Sequence, residues 1–126
     1  MDPHARRYGF CLLFVSACLG FALELAHALK LSLYLDVPLR RELLTWAHAH
    51  GVGLALVMLA YAASGITEPR NVKRLALGSL LMPAGFALAS LDLHESDPGV
   101  AIMLVPLGAL FVLHALYVAA RTSLRV

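Results

Sequence analysis

Residues 43–65 of the chain read LLTWAHAHGVGLALVMLAYAASG, a run without a single Asp, Glu, Lys or Arg. About 20 helical residues are enough to cross a hydrocarbon core about 30 Å thick. Backbone groups in lipid must bond to one another, and the run lacks the alternating polarity of barrel strands. This stretch therefore predicts a membrane-spanning helix.

Three further stretches are also long and predominantly apolar, and the composition of the chain agrees with them. Of the 126 residues, 60% are apolar and 14% are charged, against roughly 45–50% and about 25% in soluble domains. Such a composition excludes a disordered chain, a soluble two-domain enzyme and a nucleic-acid-binding protein. We predict a single transmembrane domain over residues 1–126, with helices near 10–34, 43–65, 75–93 and 100–120.

Short turn-forming clusters between the spans set the topology. They are DVP at 36–38, TEPR at 67–70 and SDPG at 96–99, all rich in residues that interrupt helices. Short loops make successive helices antiparallel neighbours, so we expect an all-α, up-down-up-down four-helix bundle in the membrane. Pro83 and Pro106 fall inside the third and fourth spans, where we expect kinks.

Basic residues near the span ends predict the orientation, because cytoplasmic loops carry the excess of Lys and Arg. One side holds seven such residues and the other holds three. The seven are Arg6, Arg7, Arg70, Lys73, Arg74, Arg121 and Arg125, and the three are Lys30, Arg40 and Arg41. Both termini are therefore expected in the cytoplasm, in a bacterial inner membrane. The outer loop then contains Asp92, His94, Glu95 and Asp97.

The first span can also be read as a signal peptide, because Arg6 and Arg7 precede an apolar run that ends in Ala26-His27-Ala28. The apolar region of a signal sequence does not normally contain ionisable residues such as Glu24 and His27. We therefore expect the span to be retained in the protein.

Cys11 and Cys18 are seven residues apart on the first span, too far along one helix to form a disulfide. The chain has no C-x-x-C-H motif, so no covalently attached c-type haem is expected. We interpret both cysteines as packing residues.

Five ionisable residues fall inside the spans, where each is costly enough to be a functional hypothesis. They are Glu24, His27, His48, His50 and His114. Glu24 and His27 are three apart and share one face of the first helix. His50 shares a face with Trp46 and Tyr61, whereas His48 is turned about 160° away. His50 is therefore expected to face the bundle interior.

His27 and His50 are predicted to meet at one height. His27 lies seven residues inward of Tyr34, and His50 lies seven residues inward of Leu43, which places both about 10 Å below the outer boundary. Two level imidazoles can bind a transition-metal ion, with Glu24 as a third group, or a haem iron between them. His114, about 10 Å deeper, could ligate a second group or contact the far edge of a porphyrin.

Each of these residues also has a purely structural interpretation. Histidines in membrane helices can hydrogen-bond neighbouring helices. His48 lies close enough to the boundary to reach lipid headgroups. Tyr8, Tyr34 and Trp46 suit an interfacial aromatic belt.

The stretch from Leu39 to Leu54, LRRELLTWAHAHGVGL, resembles the second helix of catalytic subunits in the haem-copper oxidase and nitric oxide reductase superfamily. There a basic residue precedes A-H-x-H and a Gly-rich apolar segment, and the histidine ligates a b-type haem. The resemblance implies this role for His48 or His50. The resemblance covers one helix of four. The same stretch also resembles small four-helix membrane proteins that have one His-x-His near the start of the second helix. The later copper-binding helices have no counterpart here, so it implies haem b without oxygen or nitric oxide reduction.

The leading hypothesis is a small integral membrane protein that binds haem b or a metal ion through His27 and His50, for electron transfer or small-molecule sensing. The first alternative is a non-catalytic accessory or assembly subunit of a membrane complex or homo-oligomer. The second is a proton or metal-ion transporter that uses Glu24 and His27. The chain has no phosphate-binding loop, G-x-S-x-G or H-E-x-x-H motif, so we expect no hydrolytic or phosphoryl-transfer enzyme.

Overall fold

The computed structural model describes residues 2–91, 93 and 97–124, and these residues are mostly helical. The α-helices are α1 (Pro3–Ala28), α2 (Ser32–Leu35), α3 (Pro38–Ala63), α4 (Pro69–Ala89) and α5 (Leu104–Ser123), and the 3₁₀ turn Val100–Met103 leads directly into α5. Four segments are long and apolar enough to cross a membrane: α1, α3, α4 and Val100–Ser123. The predicted helical bundle with four spans is confirmed.

A proline begins each of the first three long helices. Pro3, Pro38 and Pro69 occupy the first helical position, where the missing N–H removes no helical bond and the fixed φ suits a helix. Asp2 also caps α1 by accepting bonds of 2.9 Å from the next two free backbone N–H groups. The helices therefore begin before the predicted positions 10, 43 and 75, because they extend through charged residues that hydrophobicity had placed outside the spans.

The first helix ends six residues before the predicted boundary at 34. Lys30 has a left-handed backbone with φ of 51°, and the N–H of Leu31 donates to the carbonyl of Ala26 at 3.0 Å. This turn satisfies the last carbonyl groups of α1 and redirects the chain. Residues 32–35 form the separate single-turn helix α2.

Arg40 joins three elements at the end of the bundle that is remote from the N-terminus. Its Nη1 donates to the carbonyl of Leu33 in α2 at 2.8 Å, and its Nε donates to the carbonyl of Ser90 at 3.1 Å. Ser90 follows the last residue of α4, where an arginine complements unpaired carbonyl groups and the helix dipole. Arg40 therefore stabilises this end as well as adding to its charge.

The long helices form an open row. α1 packs on α3, α3 on α4, and α4 on α5, with a smaller contact between α1 and α4. Within the described part of the chain, α5 does not approach α1 or α3. The N–H of Asp2 donates to the carbonyl of Ala62 at 3.1 Å, so α1 begins where α3 ends. α3 and α4, which have neighbours on two sides, contain most of the core.

Asn71 links the three later long helices near the end that carries both termini. It is completely buried, and its Nδ2 donates to the carbonyl of Ala115 in α5 at 3.0 Å and to the hydroxyl of Tyr61 in α3 at 3.3 Å. The residues around it form one apolar cluster, whereas Leu43, Ala47, Phe86 and Ala89 form a second at the opposite end.

Glycines allow α4 and α5 to pack with their backbones in contact. A Cβ at Gly78 would lie 2.6 Å from the carbonyl oxygen of Gly108 and 2.9 Å from the backbone nitrogen of Val112. Close approach through small residues strengthens the van der Waals packing that helps to hold helices together in lipid. Pro106 lies in the first turn of α5, where its missing N–H does not require the kink that we predicted. α4 continues through Pro83.

We expect Gly78→Ala to lower the free energy of unfolding by about 1–3 kcal/mol, because the added methyl group meets backbone atoms that cannot move aside. Thermal or denaturant unfolding in detergent micelles measures the change. Gly53→Ala is the matched control, since nothing lies within 4 Å of a Cβ built there, and it should be neutral or stabilising by up to about 1 kcal/mol. Equal effects of the two substitutions would contradict this account of the α4–α5 contact.

Candidate functional site

The structure divides the five ionisable residues of the spans into two groups. The side chains of His48 and His50 are half-buried, whereas those of Glu24, His27 and His114 are exposed. Within the described residues, no group of three or more His, Cys, Asp or Glu side chains is placed to hold a metal ion. The polar residues are therefore dispersed over the bundle.

The register between α1 and α3 places His27 and His50 at different heights. A Cβ at Gly51 in α3 would meet the side chain of Ser16 in α1, so these residues are opposite each other. His50 is one residue from Gly51, and His27 is eleven residues beyond Ser16, about 16 Å along the helix axis. The prediction that His27 and His50 meet at one height is therefore wrong.

The predicted depths of His27 and His50 were wrong because they were counted from positions that are not the ends of the helices. We counted inward from positions 34 and 43, but α1 ends at Ala28 and α3 begins at Pro38. His27 is thus the penultimate residue of α1, whereas His50 lies twelve residues into α3. With His27 and Glu24 exposed at the end of one helix, the donor set of His27, His50 and Glu24 does not fit one metal ion, and His27 and His50 do not fit one haem.

His48 lies in the contact between α1 and α3. Its Nδ1 donates to the carbonyl oxygen of Ser16 at 2.8 Å, and a Cβ at Gly20 would overlap its ring. His48 is thus turned away from the side of His50, as predicted, but it faces α1. α3 packs on α1 with one side and on α4 with another, so the helix has two protein-facing sides where the sequence analysis assumed one.

His50 belongs to an aromatic cluster on the other side of α3. Its Nδ1 donates to the carbonyl of Trp46 at 2.9 Å, and its ring centroid lies 5.0 Å from that of Phe86 in α4. Trp46 contacts the same phenyl ring edge-on, with centroids 5.5 Å apart. Because a carbonyl oxygen has no proton to give, Nδ1 carries the proton, and Nε2 of a neutral His50 is left as an acceptor or metal ligand.

His114 is exposed near the middle of α5. It lies ten residues after Leu104 and nine before Ser123, about 14–15 Å from either end of the helix. Among the described residues it has no hydrogen-bond partner. Its surroundings on the helix surface include the exposed apolar side chains Leu107, Leu110, Leu113 and Tyr117.

Cys11 and Cys18 are free thiols on the exposed side of α1, so the prediction that they are packing residues is wrong. α1 buries only Ala5, Gly9 and Ser16, and these small residues let the backbones of α1 and α3 approach closely. The candidate acidic and histidine residues of the outer loop at positions 92, 94 and 95 lie outside the described residues, as does Arg125.

A groove between α1, α3 and α4 was missed by the sequence analysis. Its volume is about 420 Å³, and its lining is mostly apolar. Ser79 and Lys73 of α4 contribute its polar groups together with Tyr8 of α1. The helical spacing of four residues does indicate that they share one side of α4: Lys73, Ala76, Leu77 and Leu80. That spacing does not predict a groove, because the groove also depends on how α1 is aligned with α4.

No family model matches the chain, and neither the curated proteins nor the solved structures include a match to it.

We expect His48→Ala to lower the free energy of unfolding by about 1 kcal/mol or more, because it removes a hydrogen bond between helices and the packing of the ring on Gly20. His27→Ala is the matched control and should change the value by less than about 0.5 kcal/mol, since the side chain is exposed at a helix end. Unfolding of the purified protein in micelles measures both. A larger effect at His27 than at His48 would contradict the assigned positions.

Proposed function

We propose that this chain is a non-catalytic integral membrane subunit that associates with a second copy of itself through the exposed side of α5. The observation that carries the proposal is the position of His114. A histidine halfway along an apolar helix and exposed on its surface would face hydrocarbon in an isolated chain. Ionisable residues inside membranes almost always face protein or a water-filled cavity.

A two-fold contact between identical subunits satisfies this requirement simply. In such a contact the same surface is used by both partners, so each His114 is covered by the partner's α5, and the two imidazoles can share a hydrogen bond when the two-fold axis passes between them. The open row supports this arrangement, because among the described residues α5 packs on α4 alone of the long helices and leaves most of its surface exposed. The exposed apolar residues around His114 supply the packing surface.

The polar side chains of α1 give weaker support for association. Glu24 and His27 are exposed within the last five residues of the helix, where long or polar side chains can reach the headgroup region. Their position therefore does not require a protein partner, and the proposal depends on α5.

We further propose that both termini lie in the cytoplasm. Of the described Lys and Arg residues, six lie at the end of the bundle that carries the termini and three at the other end. One of those three, Arg40, is bound to backbone carbonyls of two other elements. The excess of positive charge thus favours the cytoplasm for the end with the termini.

We expect the protein to form dimers in lipid vesicles and His114→Ala to weaken them by about threefold to twentyfold, the range measured for hydrogen bonds between membrane helices. Energy transfer between labelled copies, followed as lipid is added to dilute the protein, measures the dissociation constant. His4→Ala is the matched control, since His4 is exposed in the first turn of α1 and should leave the dimer unchanged. A wild-type protein that is monomeric at every dilution would overturn the proposal.

A second candidate function is binding of haem b or a transition-metal ion by His50. The observation that favours it is the bond from Nδ1 of His50 to the carbonyl of Trp46, since metal-binding histidines usually donate their other ring nitrogen to such an acceptor. His48 has the same bond to Ser16, but its ring is enclosed by α1. Because His27 is remote, it does not supply a second axial ligand.

For this second candidate we expect a Soret band or bound metal in the purified wild-type protein, lost in His50→Ala and kept in His27→Ala. Absorption spectra and elemental analysis of protein purified without added cofactor measure the outcome. A folded protein that is colourless and free of metal excludes the candidate and leaves the dimer proposal intact.

A further inference from the structure

The groove between α1, α3 and α4 is large enough for part of a bound molecule. Its volume of about 420 Å³ falls within the range of roughly 300–1,000 Å³ for small-molecule sites. Tyr8 and Val15 of α1 and Leu80 of α4 line it and are exposed, so the groove opens on the outer surface of the bundle. Met58 of α3 is buried beneath it.

Ser79 is one of the residues that line this groove, and its hydroxyl is buried without a partner. The side chain is 1% exposed, and its Oγ has no hydrogen-bond partner. A serine inside a membrane helix normally bonds to the carbonyl four residues earlier. In addition, Pro83 has no N–H to give to the carbonyl of Ser79. A polar molecule in the groove would supply the missing acceptor.

The charge at one end of the groove selects an anionic molecule. Lys73 lines the groove six residues before Ser79, about 9 Å along the helix axis. Arg70 and Arg74 are on the same turns of α4, and Arg6 and Arg7 are at the same end of α1. The acidic groups described at this end are fewer, and one of them, Asp2, is engaged in capping α1.

We propose that this groove binds an anionic glycerophospholipid. The phosphate lies against Lys73, one acyl chain follows the apolar groove, and the hydroxyl of Ser79 donates to an acyl ester oxygen. Basic pockets between membrane helices near the cytoplasmic surface recognise anionic headgroups in this way. The groove has a lysine at one end, a hydroxyl donor without a partner further along, and an apolar lining. These three features follow the order of phosphate, ester and acyl chain in such a lipid.

The experiment uses the purified full chain and two probes, dioleoylphosphatidylglycerol and dioleoylphosphatidylcholine. Native mass spectrometry counts lipids bound per chain, which is independent of whether the chain is a dimer. We expect the wild-type protein to bind one phosphatidylglycerol at least about fivefold more tightly than phosphatidylcholine, and Lys73→Gln to remove this preference. Arg121→Gln, which removes the same charge from α5, is the matched control and should keep the preference.

Two further measurements place the lipid in the groove. Ser79→Ala should weaken both lipids equally, by about threefold, because both contain the ester groups. In the Cys18→Ser variant, phosphatidylglycerol should slow the reaction of a maleimide with Cys11, which lines the groove. Equal binding of the two lipids by the wild-type protein would overturn the proposal, and so would an Arg121→Gln effect as large as that of Lys73→Gln. Unchanged labelling of Cys11 would also overturn it.

Discussion

A polar group within the hydrocarbon region has no water to bond with, so its partner has to come from protein or from another bound molecule. His48 meets this constraint through the backbone of α1, and Nδ2 of Asn71 meets it through α3 and α5, whereas Oδ1 of Asn71 has no partner among the described residues. These bonds join helices that also approach closely through glycines such as Gly20 and Gly78. The polar residues, together with the small residues at the helix contacts, therefore determine which helix faces which neighbour, while the long apolar runs determine that the helices enter the membrane.

The same constraint explains the polar groups that remain without partners. His114 and the hydroxyl of Ser79 are both unsatisfied within the described residues, but in different settings. His114 projects from a helix at the edge of the row, where another protein surface can cover it. Ser79 is enclosed beside a groove of about 420 Å³ that opens on the outer surface of the bundle. The two positions indicate two kinds of contact that the isolated chain does not contain.

Four helices and their antiparallel order could be predicted from the sequence because both depend on local features, namely run length and loop length. The helix ends were less accurate, since Pro3, Pro38 and Pro69 start helices within charged segments and Lys30 ends one within an apolar segment. That error shifted the predicted level of His27 and produced a paired site that the structure does not contain. The groove at Ser79 depends on how three helices are aligned, and no single stretch of sequence encodes that alignment. The resemblance of residues 39–54 to haem-binding helices stays a prediction.

The open row has a consequence for how the protein is made. Each long helix after α1 packs on the long helix that precedes it in the chain, so one of its partners is already in the membrane when it leaves the ribosome. Contacts between segments close in sequence form quickly, since little chain entropy is lost in bringing them together. Insertion can therefore proceed in the order of translation, with no helix waiting for a distant one, and α5 is the last to arrive.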